Sequence, residues 1–444
     1  MKIRTISRTE EDYLRKSTHD ITKVHRNRDP TIHPFERERE YTRALTAVKL
    51  DKIFAKPFIG ALDGHRDGIH CMSTVRSNIV PLISGACDGE LRVWDLSTKK
   101  VCWSIIAHTG FVRGVAPDVS GFTFYSCGDD KIIKHWSLQP NDIENIEPIA
   151  LWNSPGALTA IDHHWVDSQF ATSGDALQVW DHTRANPIHS YKWGADSILS
   201  VKYNPAEASL LASTGTDRGV VLYDLRASVP MRKFLLPMNS NKLAWNPREP
   251  MNFVLANEDY NLYTFDMRNL SKALMIHKDH VGAVMDVAFS PTGREFVTGS
   301  YDRTVRIFGA SSGRSREVYH TKRMQRVFSV SYTADTEYVL SGSDDTNIRI
   351  WKSHASESVG IDSSREERKK NYMNSLKKRF AHMPEIRRIV HDKKVPKSIK
   401  KAKAIMHIQK QSEHRKTENR INNSKPGEVT LAPEKKKTVV REFN

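Results

Sequence analysis

The chain has 444 residues, with 68 Lys and Arg against 52 Asp and Glu, a net charge of +16, and an apolar share of 39%. That length holds two or three ordinary domains or one large repeat array, and the apolar share is enough for a sizeable core. No run of about eighteen apolar residues occurs, so no membrane-spanning helix is expected; Cys71, Cys87, Cys102 and Cys127 are scattered singly, against a disulfide framework or zinc site and for a reducing, intracellular compartment.

The N-terminal extension, 1–57, carries 14 Lys and Arg against 9 Asp and Glu, a net of +5. Its start, "MKIRTISRTEEDYLRKSTHD", is polar and has no secretory h-region. Over 24–35, Pro30 and Pro34 discourage helix and predict an extended stretch. From Glu36 to Lys52 a helix is expected, because Tyr41, Leu45 and Val48 fall on one stripe. The plain reading of this piece is a strap packed on the body that follows.

The middle, 58–351, is slightly acidic, with 29 Lys and Arg against 32 Asp and Glu, a net of −3. Seven segments share one ending: "LRVWDL", "IKHWSL", "LQVWDH", "VVLYDL", "LYTFDM", "VRIFGA" and "IRIWKS". Their aromatic residues are Trp94, Trp136, Trp180, Tyr223, Phe265, Phe308 and Trp351, spaced 42 to 44 residues apart. Six residues before the aromatic stand Asp88, Asp130, Asp217, Asp259, Asp302 and Asp345; the third copy has Gly174 there and Asp175 next. Ten residues before it stand Ser84, Ser126, Ser213, Thr298 and Ser341 in five copies. Each copy reads as short strands broken by turns, as in "PLISGACDGELRVWDL".

This middle region resembles the WD-repeat family, whose period is about 40–45 residues with four strands per blade. The resemblance implies an all-β, seven-bladed propeller over 58–351. No outer strand follows Trp351, whereas "PFIGALDGH" precedes the first repeat. Phe58–Leu62 is therefore expected to pair into the last blade and close the ring, since an open edge invites aggregation.

Several Ser, His and Asp residues have the composition of a catalytic triad. The family resemblance places His65, Ser84, Asp88 and Trp94 in a structural tetrad, and His108, Ser126, Asp130 and Trp136 in a second; His280, Thr298 and Asp302 have comparable places. Recurrence in several blades argues for scaffolding, because a nucleophile and its base normally occur once. "IDHHW" (161–165) raises a metal, but His163 and His164 are neighbours on an expected strand and face opposite sides. No phosphate loop and no H-E-x-x-H pair is present. Neither a catalytic residue, a metal nor a cofactor is expected. "YDLR" and "FDMR" end two neighbouring copies, with Arg226 and Arg268. They resemble the WDxR pattern of cullin-RING ligase substrate receptors, where the arginine helps dock an adaptor. The plain alternative is an ordinary surface arginine after a strand.

The C-terminal domain, 352–444, carries 25 Lys and Arg against 11 Asp and Glu, a net of +14. Ser364 with Glu367 predicts a capping box, followed by Tyr372, Met373, Leu376 and Phe380 on one stripe. Pro384 is expected to end or bend this helix. Ser398 is expected to cap a further helix with Ile399, Ala402, Ile405 and Met406 on one side, stopped by "NNSKPGE". Arg387, Arg388, Lys393, Lys394, Lys397, Lys400 and Lys401 stand between the apolar positions. They suit phosphate contact; a nuclear-import signal or a solvated face is the alternative, and "EKKK" (434–437) is a weak signal of the first kind.

"RNRDPTIHPFEREREYTRAL", "FAKPF", "NEDYNLYTFDMR", "SREVYHTKRM", "MPEIRRIVHDKKVPKSI" and "SKPGEV" together resemble the Sof family of WD-repeat proteins across essentially the whole chain. The resemblance implies a nucleolar scaffold of the U-three small nucleolar ribonucleoprotein, the small-subunit processome, needed for maturation of small-subunit ribosomal RNA. It implies as partners pre-ribosomal RNA, the U-three RNA and other processome proteins. Animal relatives also resemble cullin-RING receptors, which is the competing class.

Overall fold

The structure, a computed structural model, describes residues 31–32, 34–140, 142, 145–192, 197–227, 229–357, 360, 362–425, 428 and 433–443. They fall into two compact units, each discontinuous in sequence: residues up to Phe54 with Ser358–Asp392, and Ala55–Glu357 with Lys393–Asn444. Of the extended stretch expected over 24–35, residues 24–30 and 33 lie outside the described ones.

The larger unit is a ring of seven antiparallel sheets, blades 1 to 7, each begun by an inner strand: Ile69–Thr74, Val112–Pro117, Ala160–His163, Ile198–Tyr203, Ser240–Trp245, Val284–Phe289 and Val327–Tyr332. The aromatic ending each third strand, from Trp94 to Trp351, is at most 1% exposed. That repeated burial contributes apolar stabilisation in every blade. The recurring aspartate shapes the turn before that strand. Asp88, Asp130, Asp217, Asp259 and Asp302 each accept from the N–H two residues on, at 2.9–3.2 Å. The backbone is left-handed at this turn, and in blade 1 the position is Gly89 (φ 88°), where a Cβ would collide with the His108 carbonyl oxygen. In blade 3 the hairpin is two residues tighter: Thr172 pairs with Gln178, where Ser126 pairs with Lys134. The hydroxyl that accepts from the Trp180 indole, Thr172, therefore lies eight residues back rather than ten.

Phe58–Leu62 pairs antiparallel with Ile348–Lys352, so the ring is closed by its own N-terminal strand, as expected. Leu62 is buried, Phe58 meets Trp351 edge-on at 5.5 Å, and Lys352 N–H donates to the Pro57 carbonyl at 2.8 Å.

Among the described residues the smaller unit has three helices: α1 (Glu36–Ile53), α2 (Ser364–Arg379) and α3 (Pro384–His391). Ala44, Val48, Leu376, Phe380 and Ile386 form its core, with Tyr41, Leu45 and Met373 against it. Lys377 pairs with Asp51 at 2.5 Å and Arg379 with Glu40 at 2.6 Å. The N-terminal helix thus packs with C-terminal ones 320 residues away in sequence or more. The capping box is Ser363 with Glu366, one residue earlier than expected; "SSREE" offers both registers. Pro384 starts α3 rather than bending α2, its missing N–H being harmless there.

The rest of the C-terminal region belongs to the larger unit: α4 (Lys397–Asn422), α5 (Glu434–Lys437) and a short strand, Arg441–Phe443. Pro396, not Ser398, is the N-cap of α4, with no side-chain cap bond. Arg441–Phe443 adds a fifth strand to blade 4 beside Arg232–Leu235, covering that edge.

Candidate nucleic-acid and partner interfaces

The Ser–His–acid sets of the propeller are closed structural networks. In blade 2, His108 contacts Ser126 Oγ at 2.8 Å and Asp130 at 2.8 Å, and the Trp136 indole donates to the same Ser126 oxygen at 2.9 Å. In blade 6, His280 reaches Thr298 at 2.7 Å and Asp302 at 2.9 Å; Phe308 has no N–H to add. Burial pushes the His65, His108 and His280 imidazoles down. Burial alone would raise the Asp302 carboxyl; His280, Arg306 and Thr304 outweigh it and hold the group low. Ser84, Ser126 and Thr298 are completely buried, so their hydroxyls reach no substrate.

Blade 1 departs from the expected tetrad. His65 contacts Ser84 at 2.6 Å, and Trp94 donates to Ser84 at 2.8 Å, but the acid on the imidazole is Glu90, at 3.2 Å. Asp88 is not in the network. Its carboxylate accepts the Glu90 N–H in the turn, and the longer glutamate two residues on reaches the ring instead.

His163 and His164 diverge as adjacent strand residues must. His163 Nε2 lies 3.1 Å from His182 and 3.3 Å from Asp118, whereas His164 Nε2 lies 3.0 Å from the Ala208 carbonyl. Asp162 accepts from Lys202 at 2.6 Å and from the Tyr203 N–H at 2.9 Å, stitching blade 3 to blade 4.

The basic candidates separate. Arg387 and Arg388 are exposed on α3 of the smaller unit, and Lys394, Lys397, Lys400 and Lys401 are exposed at the base of the arm on the larger one. Lys393 has another part. It donates to Asp279 at 3.0 Å and to Ser315 Oγ at 2.9 Å, while Lys403 takes the other Asp279 oxygen at 2.9 Å. Burial raises the Asp279 carboxyl, but Lys403, Lys393 and Ser315 together hold it far below the usual carboxylate range. The sequence holds one signal for Asp279. The residue before the tetrad histidine is Gly64 in blade 1 and Ala107 in blade 2, and a carboxylate only in blade 6.

From this clamp α4 runs for 26 residues, about 39 Å at 1.5 Å per residue. Its covered stripe is Ile399, Ala402 and Met406; Ile405, expected on that side, is 57% exposed. Lys400, Lys401, Lys410, Arg415, Lys416 and Arg420 are exposed along it. Beyond α4 the arm is fixed again: Glu434 pairs with Lys278, the Ala273 N–H donates to the Lys435 carbonyl at 3.1 Å, and Val439 packs against the cluster of Phe234, Phe253 and Phe265.

Arg226 and Arg268 follow the third strands of blades 4 and 5. Arg226 is exposed, with its own N–H on Asp224 at 3.0 Å. Arg268 lays its guanidinium fork on Asp266 of its own blade, at 3.1 and 2.9 Å.

Comparison with known proteins gives a consistent set of likenesses. Residues 353–439 match the Sof1-like domain, and 56–95, 99–137, 271–309 and 316–352 match the WD domain, G-beta repeat. The chain is 48% identical over 442 residues to DDB1- and CUL4-associated factor 13 of Danio rerio, covering 99% of each, and 49% identical over 441 residues to that of Homo sapiens, again covering 99% of each. It is 44% identical over 464 residues to Protein SOF1 of Saccharomyces cerevisiae, covering 99% of this chain and 94% of that one. The WD40 beta propeller domain of Doa1 superposes with a TM-score of 0.58 at 18% identity, over 67% of this chain and 96% of that one, a likeness of fold.

Proposed function

This chain belongs to the Sof1 family of WD-repeat proteins, and on that footing we propose that it is a non-enzymatic assembly factor in small-subunit ribosome biogenesis, working in the nucleolus within the U-three ribonucleoprotein. The propeller offers rigid faces to other processome proteins, and α4 offers phosphate-neutralising cations to pre-ribosomal or U-three RNA. The observation that carries the reading is the Asp279 clamp. It converts a basic tail into a helix held at a set place on the ring, with Lys397, Lys400 and Lys401 left exposed. Such a helix binds RNA through the backbone, with affinity from counterion release and little base preference. Arg387 and Arg388 on α3 offer the same chemistry from the smaller unit. The test is to replace the chromosomal copy with a Lys397→Glu, Lys400→Glu, Lys401→Glu variant and follow sedimentation with pre-ribosomes. Loss of the variant from the large particles, with small-subunit RNA precursors accumulating, supports the proposal. Normal sedimentation and processing would refute it.

A second reading is favoured by one observation. Arg226 is exposed at the place of the WDxR pattern, and several relatives carry the name DDB1- and CUL4-associated factor 13. On this reading the chain is a substrate receptor of a cullin-RING ubiquitin ligase. Adaptor capture by the protein with α4 charge-reversed supports it; equal capture by wild type and Arg226→Glu speaks against it.

A further inference from the structure

In six blades the inner strand carries a register shift one residue from its start, skipping His70, Arg113, Leu199, Asn241, Met285 and Phe328. A bulge leaves its extra residue outside the ladder and re-aims the side chain. All six of these side chains are partly exposed. Three neighbouring pairs among them touch: His70 stacks on Phe328 at 6.4 Å, Arg113 Nη1 lies 3.5 Å from His70 Nε2, and Asn241 donates towards the Met285 sulfur at 3.7 Å. In an antiparallel blade the start of the inner strand and the turn between the second and third strands lie at the same end. Loop residues at that end extend the row. Phe111 lies under the Arg113 guanidinium at 4.9 Å. Tyr301 meets Phe328 edge-on at 6.0 Å and carries the Arg326 guanidinium at 5.0 Å. The result is an arc of planar groups, Arg326–Tyr301–Phe328–His70–Arg113–Phe111, crossing blades 6, 7, 1 and 2.

We propose that this arc is a stacking platform for the bases of a single-stranded RNA segment. Phe111 and Tyr301 are about two-fifths exposed, 41% and 40%, and Phe328 and His70 are partly open between them. Every base has a π face, so a row of aromatic and guanidinium planes holds successive bases with little sequence preference. The cations are placed for the backbone. Arg303, Lys322, Arg323 and Arg326 are exposed and form no ion pair among the described residues. The acidic neighbour Asp129 is already engaged by Arg113, at 2.7 and 3.0 Å. Asp67 and Asp344 stand exposed on the blade 7–blade 1 side, which directs the phosphates over Arg303 and Arg326. Burial, with Lys242 and Arg113 nearby, pushes the His70 imidazole down to about 3, so at neutral pH it is an uncharged ring. An acidic peptide would use the cations but leave the row of planes without a planar partner. The arm needs only phosphates; the arc needs bases, and this separates the two sites.

The test uses full-length protein and two labelled octamers, oligoadenylate and its abasic analogue, read by fluorescence anisotropy. Wild type is expected to bind the adenylate at least tenfold more tightly than the abasic strand. Tyr301→Ala with Phe111→Ala is expected to bring that ratio close to one and leave abasic affinity unchanged. Reversing Lys400 and Lys401 is expected to lower both affinities alike, so failure of the arm and failure of the arc are distinguishable. Should the double variant unfold, Arg326→Ala alone decides, with a several-fold fall in the ratio expected. No preference for bases in wild type, a ratio unmoved by the variants, or displacement of the adenylate strand by oligoglutamate with equal binding of both octamers overturns the proposal.

Discussion

Lys393 and Asp279 lie 114 residues apart in sequence and 3.0 Å apart in the structure. Asp279 immediately precedes His280, whose ring is locked by Thr298 and Asp302. The carboxylate therefore sits beside a fixed ring and accepts from Ser315 of its own blade, and Lys393 and Lys403 pair with it.

Asp279→Ala should free the base of the arm. The pair with Lys393 is largely covered, that with Lys403 mostly open, so a loss of about 2 kcal/mol is expected. Chemical denaturation measures it, and hydrogen exchange should show protection lost over 397–422 with the blades unaffected. The pH dependence has a definite sign. The carboxyl is lowered in the folded state from its ordinary 3.8, so its contribution is present above that value and disappears as pH falls below it. Between pH 5 and 8 the arm should stay docked; release in that window would contradict the clamp.

Leu62→Ala removes a buried side chain from the strand that closes the ring. A loss of about 2–5 kcal/mol is expected, with a lower melting temperature for the whole propeller. A loss under about 0.5 kcal/mol would mean that closure does not depend on this strand.

In blade 1 Glu90→Gln should cost more than Asp88→Asn, because Glu90 holds the buried His65 ring. The expected difference is about 1 kcal/mol, read from paired denaturation curves. Ser126→Ala in blade 2 should cost about 1–3 kcal/mol, since it strands the His108 and Trp136 nitrogens.

On the ligase reading Arg226→Glu should reduce adaptor binding at least tenfold, and Arg268→Ala should have the smaller effect, because Asp266 already engages the Arg268 fork. Equilibrium binding with the purified adaptor gives both numbers. The reverse order would assign docking to blade 5.

The propeller is legible because its signal is local and repeated: each blade's third strand ends in a buried aromatic, and five hairpins carry their own aspartate turn. The latch at Phe58–Leu62 followed from a missing strand after Trp351. Short-range choices between equivalent residues were not decidable, as with Ser363 or Ser364 under "SSREE", and Asp88 or Glu90 beside His65. The long-range pairings left little trace. Nothing around Lys393 names Asp279 as its partner, and Arg441–Phe443 is too short to read as a strand until Arg232–Leu235 offers an edge. The bulges behind the aromatic arc are register events between strands, visible only once the strands are paired.

The most direct measurement is crosslinking and sequencing of RNA bound to full-length protein in cells, comparing wild type with the Lys397→Glu, Lys400→Glu, Lys401→Glu variant. Crosslinks to pre-ribosomal or U-three RNA in α4 are expected to disappear while the variant keeps the wild-type melting temperature. In vitro, the fall of log affinity with log salt concentration should become shallower by about 2, because three lysines no longer neutralise phosphates. An unchanged crosslink map and an unchanged salt slope would contradict it.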